Sequence, residues 1–89
     1  MNRPRLRPHA RLRWDARAGR YLLLSPERGL LLNPTAAEIV KLCTGEHTVA
    51  EIVAHLQAAC PAEPAEAIAG EVARFLARIA ERGLIEDAA

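Results

Sequence analysis

The chain is short of large side chains: 89 residues include one Trp, one Tyr, one Phe and one Met. That scarcity excludes an aromatic core, so the interior has to be assembled from Leu, Ile, Val and Ala, within an apolar share of 51%. Serine is equally scarce. Ser25 stands alone, before Pro26 in a turn, with no histidine beside it. Nucleophilic chemistry needs a base within hydrogen-bond reach and a third group to orient it, and neither Ser25 nor either cysteine has such partners in sequence. No enzyme is expected. Two cysteines, Cys43 and Cys60, are too few for the disulfide framework of a small secreted domain, and they read as reduced, buried thiols. The N-terminal "MNRPRLRPHARLR" lacks the apolar stretch of a signal peptide, and no apolar run approaches the roughly 18 residues of a membrane span. A cytoplasmic protein without membrane contact is expected.

What is present divides unevenly. Residues 1–28 carry eight Arg against Asp15 and Glu27, whereas residues 29–89 carry four basic groups against nine acidic ones. A basic front steers any acidic partner to that end. Residues 1–8, with Pro4 and Pro8 among arginines, read as a flexible, solubilising basic arm, and residues 9–89 as a single domain. A chain of this size buries only about 60–65% of its unfolded surface, so its margin of stability is thin.

Along the domain, "RLRW" (11–14) alternates and predicts a strand with Leu12 and Trp14 facing inward. "DARAG" turns the chain, "RYLLLS" (20–25) is a second strand, and "PERG" turns it again into a third at residues 30–33. Three helices follow. In "NPTAAEIVKLCTG", Thr35 and Glu38 have the spacing of a capping box, while Asn33 before Pro34 is a competing cap. Ile39, Leu42 and Cys43 mark the buried stripe, and Gly45 stops the helix. Thr48 and Glu51 form a second capping box, followed by Val49, Ile52, Val53 and Leu56. "CPAEP" breaks that helix. The last helix spans about residues 65–82, with Ile68, Val72, Phe75, Leu76 and Ile79 at helical spacing and Gly83 as its stop, after which Leu84 and Ile85 tuck onto the core. The expected class is α+β, winged helix-turn-helix-like, with a three-stranded antiparallel N-terminal sheet followed by three helices.

Two constellations fall away. Cys43, His47, His55 and Cys60 make a nominal two-Cys, two-His set, but their spacing is irregular and Cys43 sits on an apolar face, unlike the close ligand pairs of structural zinc sites. No metal or other cofactor is expected. The alternative of a winged-helix DNA-binding regulator meets a charge objection. The last helix carries Arg74, Arg78 and Arg82 but also Glu66, Glu71 and Glu81, and phosphate neutralisation needs a basic face free of acids. No nucleic acid partner is expected.

The leucine triplets at 22–24 and 30–32 remain. In a strand, alternate side chains face opposite sides, so Leu22 and Leu24 oppose Leu23, and Leu30 and Leu32 oppose Leu31. One layer of helices covers only one face of such a sheet. The third strand is also short and at an edge, with unpaired backbone N–H and C=O groups. An open edge beside an apolar groove is suited to capturing an extended peptide as an added strand.

The "PERG" turn, the "NPTAAEI" helix start, the "LCTGEHTVAEI" link and the "FLARIAERGLIE" ending, in that order and spacing, resemble the PqqD family of pyrroloquinoline quinone (PQQ) biosynthesis over residues 5–86. Thr44 departs from the acid often found before that glycine, in a turn where the change is tolerable. The resemblance implies a non-catalytic peptide chaperone that binds the precursor peptide PqqA and presents it to PqqE, a radical-SAM enzyme. It also implies strand addition beside the third strand and a groove against the third helix. Leu30, Leu31, Leu32 and Asn33 would supply backbone pairing, and Val72, Arg74, Phe75 and Arg78 the groove; periodicity leaves open which of these four face the groove and which the core. A homodimer formed by exchange of the N-terminal strands is a further expectation, because the hairpin joins the helices only through Asn33-Pro34 and its outer face is apolar.

Overall fold

The computed structural model describes residues 1–88; Ala89, the last residue of the expected domain, lies outside the described residues. Five strands and three helices follow in the order β1 (Pro4–Leu6), β2 (Arg11–Asp15), β3 (Arg20–Leu24), β4 (Gly29–Leu32), α1 (Pro34–Lys41), α2 (Val49–Ala59), α3 (Ala65–Glu81) and β5 (Ile85–Asp87). The expected α+β class holds, with β2-β3-β4 as the three-stranded antiparallel sheet. A second, two-stranded sheet of β1 and β5 was not foreseen.

Register decides the two faces of the hairpin. Tyr21 lies opposite Leu32, Leu22 opposite Leu31, and Leu23 opposite Leu30. Directly opposed residues share a face, so Leu23, Leu30 and Leu32 turn inward together with Leu12, Trp14 and Tyr21. Leu22, Leu24 and Leu31 turn outward. Leu23 and Leu32 are buried, whereas Leu31 is 47% exposed. Trp14 is on the inner side by parity yet 54% exposed and apart from the core cluster; it packs edge-on against Tyr21, ring centroids 5.0 Å apart. The Lys41 ammonium sits 4.6 Å from the centre of the same Tyr21 ring.

Of the two competing caps for α1, Asn33 is the one used. Its side-chain oxygen accepts the Ala36 N–H at 2.7 Å, and Pro34 takes the first helical position. Glu38 instead pairs with Lys41 at 2.9 Å, so the Thr35–Glu38 box is not formed. The box at α2 is: Thr48 Oγ accepts from the Glu51 N–H at 3.1 Å, and Glu51 accepts from the Thr48 N–H at 2.8 Å. Hydrogen bonds from Thr48, its backbone N–H first and then its side chain, hold the Glu51 carboxyl below its ordinary range. α3 begins after Pro64 without a side-chain cap and stops at Gly83, which has φ +71°.

The helices bury Ile39, Val40, Ile52, Leu56, Ile68, Val72, Leu76 and Ile79 against Leu23, Leu32, Leu84 and Ile85. Each fully buried Ile or Leu contributes on the order of 1.5–3 kcal/mol, which is how a chain so poor in aromatics closes an interior. Cys43 lies in this core and donates its S–H to the Ile39 carbonyl at 3.2 Å. Burial pushes its thiol up to about 12. Cys60, expected buried, is exposed at the end of α2.

The expectation of a flexible arm at residues 1–8 needs correction. Pro4 is fully buried, and Pro4, Arg5 and Leu6 pair with Asp87, Glu86 and Ile85. Leu6 N–H donates to the Cys43 carbonyl, Arg7 N–H to that of Leu84, and Gly45 N–H to that of Pro4. The Asp87 carboxylate accepts from the N–H groups of Asn2 and Arg3, and Arg5 forms an ion pair with Glu86 at 2.9 Å. Gly45 makes the close approach possible: a Cβ there would meet the Ala88 Cβ at 3.0 Å and the Arg5 Cβ at 3.4 Å. The partners of this segment come from the far end of the chain, so local composition carries no trace of them.

Candidate functional site

Among the described residues, β4 has a strand on one side only. The Ser25 N–H donates to the Arg28 carbonyl at 2.9 Å, which makes Ser25–Arg28 the hydrogen-bonded pair that closes the hairpin. Such pairs alternate with non-hydrogen-bonded ones along an antiparallel ladder. Leu30 and Leu32 therefore direct their backbone groups at β3, and Gly29 and Leu31 direct theirs away from it, to the open edge. The Arg20 guanidinium adds a bond from Nε to the Leu32 carbonyl at 3.1 Å, fixing the end of the strand from the β3 side. Gly29 keeps the start of the strand slim: a Cβ there would meet Leu24 Cδ2 at 3.2 Å.

Two concavities flank β4, one at each end. At the Asn33 end, a cavity of about 220 Å³ is lined by Asn33, Ala36 and Ile39 from the α1 side and by Glu71, Arg74, Phe75 and Arg78 from α3. At the hairpin-turn end, a larger one of about 430 Å³ reaches from Gly29 and Leu30 to Arg82 and Leu84. α3 thus runs alongside β4 in the opposite direction, with Arg74, Arg78 and the C-cap residue Arg82 at successive turns. None of these three, nor Arg28, is in an ion pair with a described residue. The Arg78 guanidinium lies 5.6 Å from the centre of the Phe75 ring, and that of Arg74 folds back over Gly70.

The structure brings together four of the eight residues singled out in sequence: Asn33, Arg74, Phe75 and Arg78 share one cavity wall. Leu31 presents its backbone to the same side of the sheet. Leu30 and Leu32 hold the strand onto the core rather than face the edge, and Leu30 also reaches the second cavity. Val72 corrects the expectation. It is 0% exposed and belongs to the interior beneath the groove, because residues 72, 76 and 79 define the core side of α3 and 74, 78 and 82 the opposite flank. Phe75 sits between the two: it is only 5% exposed, yet it lines the cavity. Sequence reading passed over Ala36, Ile39 and Glu71, and over the second cavity altogether. Arg82 was recoverable from its i, i+4 spacing to Arg78; nothing near His9 or Arg28 signals the second cavity.

Among the described residues no cluster of His, Cys, Asp and Glu could hold a metal ion, and no helix is long and apolar enough to cross a membrane. The sequence model of the family described as Coenzyme PQQ synthesis protein D (PqqD) matches residues 20–85. The chain belongs to the PqqD family. Among its curated relatives, a Rhodopseudomonas palustris (strain HaA2) protein named PqqA binding protein is 38% identical over 98% of this chain and 84% of that one. PqqD also occurs within a longer chain: the bifunctional coenzyme PQQ synthesis protein C/D of Methylorubrum extorquens is 35% identical over 93% of this chain, but over only 22% of its own length. The solution NMR structure of the PqqD part of Methylobacterium extorquens PqqCD matches with a TM-score of 0.80 and 31% identity, over 93% of this chain and 87% of that one. That PqqD truncation is described as a functional, stand-alone recognition element for ribosomally synthesized and post-translationally modified peptides.

Proposed function

We propose that this chain is a non-catalytic, cytoplasmic peptide chaperone, which binds the PqqA precursor peptide as an added strand and presents it to the radical-SAM enzyme PqqE in PQQ biosynthesis. The observation that carries the reading is the open edge of β4, with the backbone of Gly29 and Leu31 facing out beside a groove lined by Asn33, Arg74, Phe75 and Arg78. An extended peptide laid there gains main-chain hydrogen bonds from the edge, while its alternate side chains enter the groove. The strand-addition mode also accounts for β4's anchorage. Leu30 and Leu32 bind it to β3 and the core, leaving the outward groups fixed in space before a guest arrives, which limits the ordering cost of binding.

The names of the relatives support PqqA as the guest, and the neighbour's description as a recognition element supports a non-catalytic role. A fused C/D chain fits a protein that works beside other enzymes of the pathway. The outward leucines 22, 24 and 31 leave an apolar face for the enzyme or, in a strand-exchanged homodimer, for a second copy of residues 1–33. Such exchange has to release the β1–β5 pairing and form it again in the partner, so it would be slow.

Titration of synthetic PqqA peptide into chelator-treated protein tests the proposal. A one-to-one isotherm is expected, together with a rise in PqqE crosslinking of the peptide when the chain is added. No binding, or binding lost on chelation and restored by zinc, would overturn the reading.

A further inference from the structure

The larger cavity lies at the other end of β4, under the hairpin turn, where it is lined by Leu23, Leu30 and Leu84 and by His9, Glu27, Arg28 and Arg82. Arg28 and Arg82 are exposed and have no carboxylate partner among the described residues, and Glu27 is the single acid facing them. Two guanidiniums against one carboxylate leave the cavity net positive. An apolar floor beneath unpaired guanidiniums suits an acidic side chain, whose stem rests on the leucines while its oxygens take the Arg forks.

We infer that this cavity is a carboxylate station of the same groove, so that the guest is selected as an extended peptide with acids at alternate positions. The inference rests on the proposed strand addition. Arg82 is the C-cap residue of α3, and its N–H still donates to the Arg78 carbonyl at 3.3 Å, so it follows Arg78 by about 6 Å along the helix axis, four residues at 1.5 Å each. Side chains on one side of a guest strand recur about every 6.6–6.8 Å. Two carboxylates at guest positions i and i+2 therefore meet Arg78 and Arg82 in turn, and the residue between them points away from α3. Arg28, in the turn just before β4, closes the Arg82 end, so the pairing also fixes the register of the guest along an edge whose backbone groups alone do not distinguish one register from the next.

The test is a coupling experiment with PqqA peptides in which each acid is replaced by its amide in turn, against wild type, Arg82→Gln and Arg28→Gln. Both arginines are exposed, so circular dichroism and melting should be unchanged. Arg82→Gln is expected to weaken binding of the unaltered peptide by about five- to tenfold at low salt. One particular acid-to-amide change should cost a similar factor in wild type and nothing further in Arg82→Gln. Binding of Arg82→Gln within twofold of wild type, or costs that multiply independently for every acid, would overturn the inference while leaving strand addition standing. Failure of wild type to bind any PqqA peptide would overturn both.

Discussion

Proline at position 31 separates the open edge from the rest of the strand. Leu31 has its N–H on the outward side of β4, so Leu31→Pro removes a donor that the free protein does not use and leaves the ladder to β3 intact. Its side chain is 47% exposed on the outer face, so little buried surface is lost, and edge positions tolerate proline. The fold should lose no more than about 1 kcal/mol, or about 4–8 °C in Tm for a domain of this size. A guest strand, by contrast, loses a backbone hydrogen bond of about 0.5–1.5 kcal/mol, and the ring crowds its neighbour. Affinity should fall at least about fivefold, which is the factor for 1 kcal/mol. Leu30→Pro has the opposite signature: its N–H faces Leu23, so the change breaks the ladder over the core and costs about 3 kcal/mol or more of stability. Leu31→Ala keeps the N–H and should bind PqqA nearly as wild type does. The assay pairs calorimetric titration with thermal melts of all three variants. A folded Leu31→Pro protein that binds as tightly as wild type would refute strand addition at β4.

Asn33→Ala removes the cap of α1 and should cost about 1 kcal/mol, lowering Tm by about 4–8 °C, whereas Thr35→Ala should not unseat a cap, since Thr35 does not serve as one; melting curves decide. Cys43 titrates at about 12 in the folded chain, against 9.0 for an ordinary thiol. Its contribution to stability is complete below pH 9 and is lost as pH rises towards 12, because the unfolded chain releases the proton first. Wild type should therefore lose more Tm than Cys43→Ala over that range, and a thiol reagent at pH 8 should modify Cys60 alone until the protein is denatured. If the basic groups Arg11, Arg13, Arg20 and Arg28 steer an acidic peptide, stopped-flow association should slow with added salt while dissociation changes little; a salt-indifferent on-rate would assign them to solubility only.

Much of the fold was legible because its signals are local. The Thr48–Glu51 box, the Gly83 stop and the stripe of residues 68, 72, 75, 76 and 79 each depend on spacing within a turn or two of helix, and each is where the sequence puts it. The hairpin was legible from its short turns, which leave little freedom, whereas its pairing came from the structure. The β1–β5 sheet was invisible for the opposite reason: three arginine- and proline-flanked residues pair with the chain's other end, and neither segment alternates strongly enough to read as a strand. Choosing between Asn33 and Thr35 as the cap needed φ and ψ at Asn33, which spacing does not supply. The groove was half legible. Periodicity left open which of Val72, Arg74, Phe75 and Arg78 face the groove, because a residue's height above the core depends on where β4 lies against the helix. The second cavity joins a loop, a turn and a helix end from three parts of the chain, and no motif spans them.

Amide exchange at β4, followed residue by residue with and without saturating PqqA peptide, tests strand addition most directly. In the free protein Leu30 and Leu32 should be protected, since their N–H groups bond to β3, and Leu31 should exchange quickly. On addition of peptide, Leu31 should slow by an order of magnitude or more, with little change at Leu30 and Leu32. Leu31 still exchanging at its free rate in the saturated complex would mean that the guest does not pair with this edge.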